Sequence, residues 1–560
     1  MQQLSIVTYK NIKGTPTDGL FANLMEGIPT LAALDFVVER QDKFIFAFSN
    51  IPGQRDSLYE LRFYLEPEEQ KQLDAFMADQ QNPVLIMNQS CLSFYAKALQ
   101  VKNTEMRELT NEDKRRIFLA YLLCTEEWAN HQENGFVADR DKPENMLLKV
   151  DMLISEFKRH KDFKAALYKA TQLFLFSEKH SDYWAVVTKF LEDHKVDDWR
   201  IYLLNLFELY FKNLHIEGMD TKDLTDFEAQ YAFGLDEDIA DKSNLIWLRD
   251  HFLVKRGDGS FLVLNNNFIV DKMYQGLKFD LFKTARDNNL LINGKEMTSV
   301  DKLNEELGTD FSEEYLMYDL IERIYDTDET VRYRGSFLKG KIDAEPDYYL
   351  RKGDKMLLIE HKDVLIAENK KQETDIDKIV DAVADKICRE KSGKKGRKGG
   401  PQLLHTMDGI FLNDTMQPYD ADAKKVDLVY PVVTVVDSTF SALGVALATV
   451  RKFSEFGQHY ETIKQGLTHV LPVTIIDIDT LLILSKRLHD KNLDLFALID
   501  EYQKRLCTKG QDLYDMPSFA SFIADSYSVD NFTEEDNAFI LSNFNREIAK
   551  LGSDQEKKDE

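Results

Sequence analysis

Cysteine and histidine are scarce in this chain, and they do not occur in the spacings that bind zinc. The four cysteines among 560 residues lie far apart, and none belongs to a Cys-x-x-Cys pair. The eleven histidines form neither a His-Glu-x-x-His motif nor a His-x-His pair. These absences argue against a disulfide-rich scaffold, a zinc ribbon and a zinc hydrolase.

Long apolar runs are also missing. No run approaches the roughly 20 apolar residues that a membrane-spanning helix needs. The first residues, Met1-Gln2-Gln3-Leu4, lack the basic and then apolar segment of a signal peptide. The sequence therefore predicts a cytoplasmic protein without a membrane partner.

Basic residues are in the minority, with 71 Lys and Arg against 97 Asp and Glu and a net charge of −26. An evenly spread negative charge would repel nucleic acid, so any nucleic-acid surface must be a local basic patch. One glycine-punctuated segment, residues 386–398, has that composition and contains a single acid. Its most basic part consists of Lys394, Lys395, Arg397 and Lys398.

The chain is too long for one hydrophobic core, so it is expected to contain two to four domains. Residues 1–105 are expected to form a small α/β or β-rich module, with residues 34–39 as a strand beside a second strand around Phe46. Residues 106–245 have closely spaced apolar residues and predict a helical domain. That domain is either a plain bundle or a surface for a protein partner or homo-oligomer. Residues 246–510 are expected to form a third domain, followed at 511–560 by a helical extension whose polar tail, residues 553–560, is expected to fray.

A predicted β-hairpin carries the most informative residues. Its strands meet at Lys352-Gly353-Asp354-Lys355, where glycine permits the left-handed backbone of a tight turn. Side chains alternate along a strand, so Glu360 and Lys362 point to one face and His361 points to the other. The partner strand can return Asp347 beside Glu360. Two carboxylates and a lysine at strand ends suit a hard divalent cation and a water molecule, which is chemistry that cleaves phosphodiesters.

Pro346-Asp347 followed by Glu360-His361-Lys362 resembles the signature of the PD-(D/E)xK, or restriction-endonuclease-like, nuclease superfamily. The resemblance implies that Asp347 and Glu360 ligate Mg²⁺, with Mn²⁺ as an alternative ion, and that the His361 carbonyl assists. It also implies that Lys362 positions or polarises the attacking water.

The superfamily carries a further glutamate on the helix before this hairpin. Asp310-Phe311-Ser312-Glu313 fits a capping box, so Glu313 is expected to be structural. Glu314 falls on the apolar face of the predicted helix, and a carboxylate buried there needs a partner or a metal. Glu314 is therefore favoured over Glu322, which shares a face with other acids. Interaction with the helix dipole is the alternative role of Glu314.

In the superfamily a polar residue on the helix after the Glu-x-Lys strand faces the scissile phosphate. Gln402 is the best match here, and an ordinary residue at a helix N-terminus is the alternative. The basic segment just before Gln402 is expected to contact the phosphate backbone of nucleic acid. A mobile solvated loop is the alternative for that segment.

Apolar runs at residues 426–436 and 470–478 predict strands buried on both faces, with a helix at 442–456 between them. Together with the hairpin they predict an α/β fold in which a central mixed β-sheet is flanked by helices. This is the fold that the resemblance implies for residues 246–510. A glycine-containing connector hairpin is expected at 252–264.

The sequence thus predicts a magnesium-dependent nuclease, with endonuclease action and a DNA substrate favoured. Bacterial defence against phage or plasmid DNA is the expected role, on architecture alone. Three alternatives stay open: a repair or recombination nuclease, a non-catalytic nucleic-acid- or protein-binding scaffold with a nuclease-like fold, and an accidental match in a helical interaction module.

Overall fold

A computed structural model describes most of the chain. The described residues are 5–14, 16, 19–42, 58–79, 83–84, 87–133, 162–213, 225–239, 245–326, 329–365, 376–389, 398–441, 443–506, 518–527 and 533–559. Within them the fold is mixed α/β with a large excess of helix. None of the helices in these ranges combines the length and the apolar character that a membrane crossing requires.

The described part of residues 1–133 is mainly helical. Its helices and strands are α1 (Lys10–Lys13), α2 (Leu20–Met25), α3 (Thr30–Gln41), α4 (Pro67–Asp79), α5 (Asn88–Gln100), α6 (Asn111–Glu133), β1 (Ser5–Ile6) and β2 (Pro83–Val84). The predicted strand at 34–39 is wrong, because this stretch lies inside α3. Leu31, Leu34 and Val38 bury one face of that helix at a spacing of three to four residues. The predicted partner strand around Phe46 lies outside the described residues.

Residues 162–324 continue mainly as helices, with short strands between them. The elements are α7 (Phe163–Ser177), α8 (Ser181–Asp193), α9 (Trp199–Asn213), α10 (Asp226–Ala229), β3 (Ala232–Phe233), α11 (Leu245–Asp250), β4 (Leu253–Lys255), β5 (Phe261–Val263), α12 (Asn266–Met273), α13 (Gln275–Asp287), β6 (Leu291–Ile292), β7 (Lys295–Glu296), α14 (Val300–Leu307) and α15 (Asp319–Ile324). Strands β4 and β5 pair antiparallel, so the predicted connector hairpin is confirmed.

A π-helical segment, Gly308–Tyr318, joins α14 to α15 without a break. Leu307 and Tyr318, at the two junctions, keep right-handed helical backbone angles. The helix therefore starts at α14, where the Ser299 side chain accepts a hydrogen bond from the Lys302 N–H. A π-helix bonds each residue to one five positions away, so its turns hold more residues than α-helical turns.

The remaining elements build the main sheet and its helical layers. They are β8 (Val331–Arg334), α16 (Gly335–Leu338), β9 (Tyr348–Lys352), β10 (Lys355–Lys362), α17 (Ile376–Ile387), β11 (Cys388–Arg389), β12 (Lys398–Gly399), α18 (Gly400–Asn413), β13 (Leu428–Val435), α19 (Leu443–Gly457), α20 (Glu461–Lys464), β14 (His469–Val470), β15 (Thr474–Asp477), α21 (Ile478–His489), α22 (Leu495–Leu506), α23 (Phe519–Tyr527), α24 (Glu534–Ile540) and α25 (Ser542–Asp559), with 3-10 turns at Ala423–Lys425 and Ser438–Ser441. The helix α25 continues through residues that were predicted to be a fraying tail.

The main sheet has six strands in the order β14-β13-β10-β9-β8, and β15 also pairs with β13. Strand β9 pairs antiparallel with β8 and β10, whereas β10, β14 and β15 run parallel to β13. The predicted mixed sheet is therefore present. The predicted strand at 470–478 is divided into β14 and β15, because Pro472 lies between them and lacks the N–H that a central strand needs.

Two hydrophobic cores cover the two faces of this sheet. The first includes Leu357 and Ile359 of β10 and is continuous with buried residues from Val7 to Phe544. The second includes Met356 and Leu358 of the same strand and lies under α17, α18 and α19. Strand β10 is buried on both faces, which explains its continuous apolar run. The domain boundaries at residues 105, 245 and 510 stay predictions.

A buried ion pair anchors the loop after α18 to the sheet. Arg351 donates two hydrogen bonds to Asp420, from Nε at 2.5 Å and from Nη2 at 2.8 Å. The Tyr349 hydroxyl donates a third at 2.7 Å. Burial alone would raise the pKa of Asp420, but Arg351 and Tyr349 hold it below its usual value.

Replacing Asp420 with Ala should destabilise the fold by about 3–5 kcal/mol, because the change leaves the Arg351 charge buried without its partner. The lowered pKa adds a pH signature. The stabilisation from Asp420 is complete above the usual aspartate pKa and is lost as pH falls from that value through the lower pKa of the folded state. Urea unfolding of wild type and variant should therefore converge on acidification. A constant difference down to pH 3 would contradict this assignment.

Candidate active site

The β9–β10 hairpin brings the predicted acidic pair together. Gly353 adopts a φ of 62° at the first position of the two-residue turn, as a tight hairpin requires. The last paired residues are Tyr348 and Ile359, so the next step along the ladder sets Asp347 opposite Glu360. Lys362 Nζ lies 2.9 Å from Glu360 Oε2 and 3.7 Å from Asp347 Oδ2. The structure therefore brings all three side chains to one end of β10.

Glu360 is the most constrained of the three. Its side chain has no solvent exposure, and its Oε1 has no hydrogen-bond partner among the described residues. Burial, followed by the nearby charge of Asp347, raises the pKa of Glu360 well above its usual value, and Lys362 only partly opposes this. A buried carboxylate oxygen without a donor is unfavourable unless a cation or a proton compensates it.

Lys362 supplies positive charge to this acidic cluster. Burial alone would lower the pKa of Lys362, but the charges of Glu360 and Asp347 raise it above its usual value. Lys362 is therefore a cation at neutral pH. It is suited to orient a water molecule or to stabilise negative charge, and unsuited to accept a proton.

A third carboxylate of the cluster comes from Glu313 in the π-helical segment. Burial is the main cause that raises the pKa of Glu313 to about 8, and the charge of Asp347 adds to the rise. The charge of Lys362 opposes part of it. The charge of Glu313 also raises the pKa of Glu360. The charge of Glu313 therefore interacts with the charges of Asp347, Glu360 and Lys362.

Glu314, the glutamate favoured from the sequence, lies beside Arg334 instead, with its Oε2 3.4 Å from Arg334 Nη1. Glu322 binds the same guanidinium, accepting from Arg334 Nε at 2.6 Å. The capping box expected around Glu313 does not form, because the helix begins at α14. The prediction assumed α-helical spacing, whereas the π-helical turns shift the directions in which Glu313 and Glu314 point.

His361 turns its ring to the opposite face of the sheet, as predicted. Its Nδ1 lies 2.9 Å from the Thr434 hydroxyl, and burial lowers the pKa of the ring to about 4. The His361 N–H donates to Asp347 Oδ2 at 2.7 Å. The N–H and C=O of a strand residue point to the same side, so the His361 carbonyl also faces the Asp347 edge.

The backbone behind Asp347 is packed too closely for a side chain at position 335. The Gly335 N–H donates to the Asp347 carbonyl at 2.7 Å. A Cβ at Gly335 would lie 2.6 Å from the Pro346 carbonyl and 2.9 Å from the Asp347 Cα. Glycine at this position therefore fixes where Asp347 stands, and no local sequence pattern indicates this role.

A buried ion pair fixes the π-helical segment to the end of β10. Lys278 Nζ in α13 lies 3.0 Å from both carboxylate oxygens of Asp363, and each side chain is 1% exposed. The Ser312 hydroxyl donates to the same carboxylate. Ser312 precedes Glu313 and Asp363 follows Lys362, so this contact sets the distance between two members of the cluster.

Of the residues expected to contact nucleic acid, the structure describes Gln402 and the backbone of Lys398. Gln402 Oε1 accepts a hydrogen bond from the Gly399 N–H at 2.9 Å, so its side chain closes the N-terminus of α18. Lys394, Lys395 and Arg397 lie outside the described residues. Lys398 pairs with Arg389 through its backbone in β12.

The side chains of the cluster supply oxygen atoms, which are the ligands that Mg²⁺ requires. Among the described residues, no three His, Cys, Asp or Glu side chains already converge as a metal site. The unpaired Oε1 of Glu360 and the carboxylate of Asp347 nevertheless supply the oxygen ligands that Mg²⁺ and Mn²⁺ prefer. The His361 carbonyl adds an oxygen of the same kind. By the chemistry of its donors, the cluster fits a hard divalent cation.

Comparisons with known proteins return no match: no family model, no curated protein and no solved structure corresponds to this chain. The fold and the cluster are therefore interpreted on their own geometry.

The Lys278–Asp363 pair gives a stability prediction. Lys278→Met should destabilise the protein by about 3–5 kcal/mol, because Asp363 would remain buried without its counter-charge. The double variant Lys278→Met, Asp363→Leu should recover most of that loss. Urea unfolding monitored by tryptophan fluorescence measures both.

The exposed pairs of Lys189 with Glu192 and Asp193 provide the control. Lys189→Met should change stability by less than about 1 kcal/mol. Equal effects of Lys278→Met and Lys189→Met would show that the buried pair is not important for the fold.

Proposed function

We propose that this protein is a metal-dependent nuclease that hydrolyses phosphodiester bonds of nucleic acid, with DNA as the favoured substrate and endonuclease action favoured. The observation that carries the proposal is the cluster of Asp347, Glu360 and Lys362 at the end of β10, in which a buried carboxylate oxygen lacks a donor. Acids crowded in this way around one lysine favour binding of a further cation.

The fold also supports the proposal. Strands β10, β13 and β15 run parallel, so their carboxyl ends meet at one edge of the sheet, where open α/β sheets bind ligands. Helix, hairpin, helix, strand and helix follow in the order of the PD-(D/E)xK superfamily that the sequence resembles. We therefore propose that residues 246–510 form a nuclease domain of that kind.

Each side chain has a role in the proposed reaction. Asp347 and Glu360 would hold the Mg²⁺ or Mn²⁺, with the His361 carbonyl as a further ligand. Such an ion lowers the pKa of a bound water and neutralises charge on the phosphoryl oxygens. Lys362 orients the attacking water, whose oxygen forms a bond to phosphorus as the bond to the leaving sugar oxygen breaks.

Glu313 is suited to accept the proton of that water. The charges of Asp347 and Lys362 act on Glu313, which relates it to the same end of β10, and a cation bound there would favour its ionised form, the form that accepts a proton. Gln402 and the basic segment at 386–398 would contact the phosphate backbone. A role in defence against phage or plasmid DNA is proposed on domain architecture alone, with repair or recombination as the alternative.

Removing a member of the cluster should abolish cleavage without unfolding the chain. Asp347→Asn, Glu360→Gln and Lys362→Met should each lower the rate by about 100-fold or more, because the first two weaken binding of the metal and the third removes the cation that orients the water. The assay uses supercoiled, linear, branched and single-stranded DNA with Mg²⁺ or Mn²⁺. Asp354→Asn, in the exposed turn of the same hairpin, is the matched control and should cleave at the wild-type rate.

A non-catalytic scaffold would behave differently in the same experiment. It would bind DNA in a salt-dependent manner with no metal requirement and yield no product. The metal itself is tested by thermal unfolding: Mg²⁺ or Mn²⁺ should raise the melting temperature of wild type and not that of Glu360→Gln. Full cleavage by purified Asp347→Asn or Lys362→Met would reject the proposed site.

The two neighbouring glutamates should differ sharply in their effect. Glu313→Gln should reduce cleavage by about 100-fold, within the range of a lost general base, because its carboxylate interacts electrostatically with the cluster. Glu314→Gln should reduce it by less than about threefold, since Glu314 binds Arg334. Single-turnover rates across a pH series measure both variants. The opposite order would restore Glu314 as the residue that assists the reaction.

A further inference from the structure

An exposed aromatic side chain lies on the short helix that begins at Gly335, whose N–H binds the Asp347 carbonyl, and neither hydrophobic core includes it. Phe337, in α16, is 45% exposed and belongs to neither hydrophobic core. Its neighbour Leu338 is fully buried, so the short helix is anchored without it. A large apolar ring that faces solvent at a proposed catalytic edge is a candidate contact for a ligand.

Phe337 is the outermost ring of a group of three. It stacks on Tyr333, with ring centroids 5.4 Å apart and an interplanar angle of 17°. Tyr419 meets Phe337 edge-on at 5.9 Å. The Tyr333 hydroxyl donates to the Tyr419 carbonyl at 2.8 Å, and both tyrosines pack against the second core. The two tyrosines therefore support the Phe337 ring from within the protein.

Positive charge lies beside this ring. Lys341 Nζ sits 3.3 Å from the Phe337 ring centroid, as a cation–π contact. Lys339 and Lys341 are both exposed on the tight turn at Gly340, whose φ is 73°. Neither lysine forms an ion pair among the described residues. Two acids, Asp343 and Glu345, follow the turn, so the positive charge is limited to the two lysines.

The ring group is close to the proposed scissile position. The Gly335 N–H binds the Asp347 carbonyl directly, and Phe337 follows Gly335 by two peptide units, which span at most about 7.6 Å between Cα atoms. The charge of Lys339 acts on Glu313. Helix α16 and the turn after it therefore border the cluster.

We propose that Phe337 stacks against an unpaired nucleobase next to the scissile phosphate, while Lys341 moves from the ring to a neighbouring phosphate. The inference rests on the proposed nuclease function and adds a substrate class, namely nucleic acid that is single-stranded at the site of cleavage. A paired base keeps its faces stacked within the duplex, whereas an unpaired base offers one to an aromatic ring.

The physical chemistry fits that ligand better than an apolar one. Base stacking on an aromatic side chain stabilises single-strand binding for any base, because every base has a π face. The Lys341 ammonium already occupies the exposed side of the ring, and a phosphate offers it a stronger, charge-assisted partner. When the Lys341 side chain binds a phosphate of the nucleic-acid strand, it therefore also uncovers the Phe337 ring for a base of that strand.

Fluorescence anisotropy with the full-length protein in EDTA tests this without any cleavage. The probes are a labelled single-stranded DNA 20-mer and an abasic strand of the same length and charge. Phe337→Ala and Phe337→Leu should weaken binding of the base-bearing strand about 5- to 150-fold, and Phe337→Tyr should preserve it. The abasic strand should bind all of these proteins equally. Phe337→Leu keeps an apolar contact to the tyrosines, so it serves if the alanine variant misfolds.

Two further variants sharpen the result. Phe63→Ala changes a phenylalanine that is 78% exposed elsewhere in the chain and should leave binding unchanged. Lys341→Gln should weaken binding of both strands and reduce the salt slope by about one.

The proposal is overturned if Phe337 variants bind the 20-mer like wild type, if they lose the abasic strand equally, or if wild type binds no single strand. Base-dependent binding by a protein that never cleaves would support the stacking site while rejecting the nuclease.

Discussion

The rest of the structure depends on one interaction, the repulsion among negative charges that lie close together in a buried site. Three carboxylates, from Asp347, Glu360 and Glu313, share the charge of one lysine, and Glu360 is fully buried. Such a cluster is unfavourable on its own and stable only with a proton or a further cation. The surrounding contacts hold the acids in place against their repulsion.

Those holding contacts come from distant parts of the sequence. Gly335 lets two strands approach behind Asp347, and the Lys278–Asp363–Ser312 contact ties the π-helical segment to β10. Arg334 binds Glu314 and Glu322, which removes two further acids from the cluster. The first hydrophobic core joins these parts, since it runs from the N-terminal helices to one face of the sheet. The cluster is therefore supported by the helical region as well as by the sheet.

Local patterns predicted the hairpin, the helix α19 and the buried strand β13, because strand alternation, helical spacing and turn glycine act within a few residues. The same reasoning correctly set Glu360 and Lys362 apart from the His361 ring. It failed at residues 34–39, where a short apolar stretch fits either period and helical packing decided the outcome. It favoured Glu314 over Glu322 and expected Glu313 to be structural, because nothing in single-residue patterns marks a π-helical turn. Lys278 and Gly335 were missed because their roles depend on partners distant in sequence.

The outer strand of the sheet adds a consequence for self-association. Strand β8 ends the described sheet on one side, is only four residues long, and carries Arg332 and Arg334. Short, charged edge strands resist pairing with strands of other chains, so this border is protected against aggregation. Because α16 follows β8 directly, the same charges also disfavour another polypeptide strand beside α16. The surface of α16 therefore stays accessible to a ligand that is not a polypeptide.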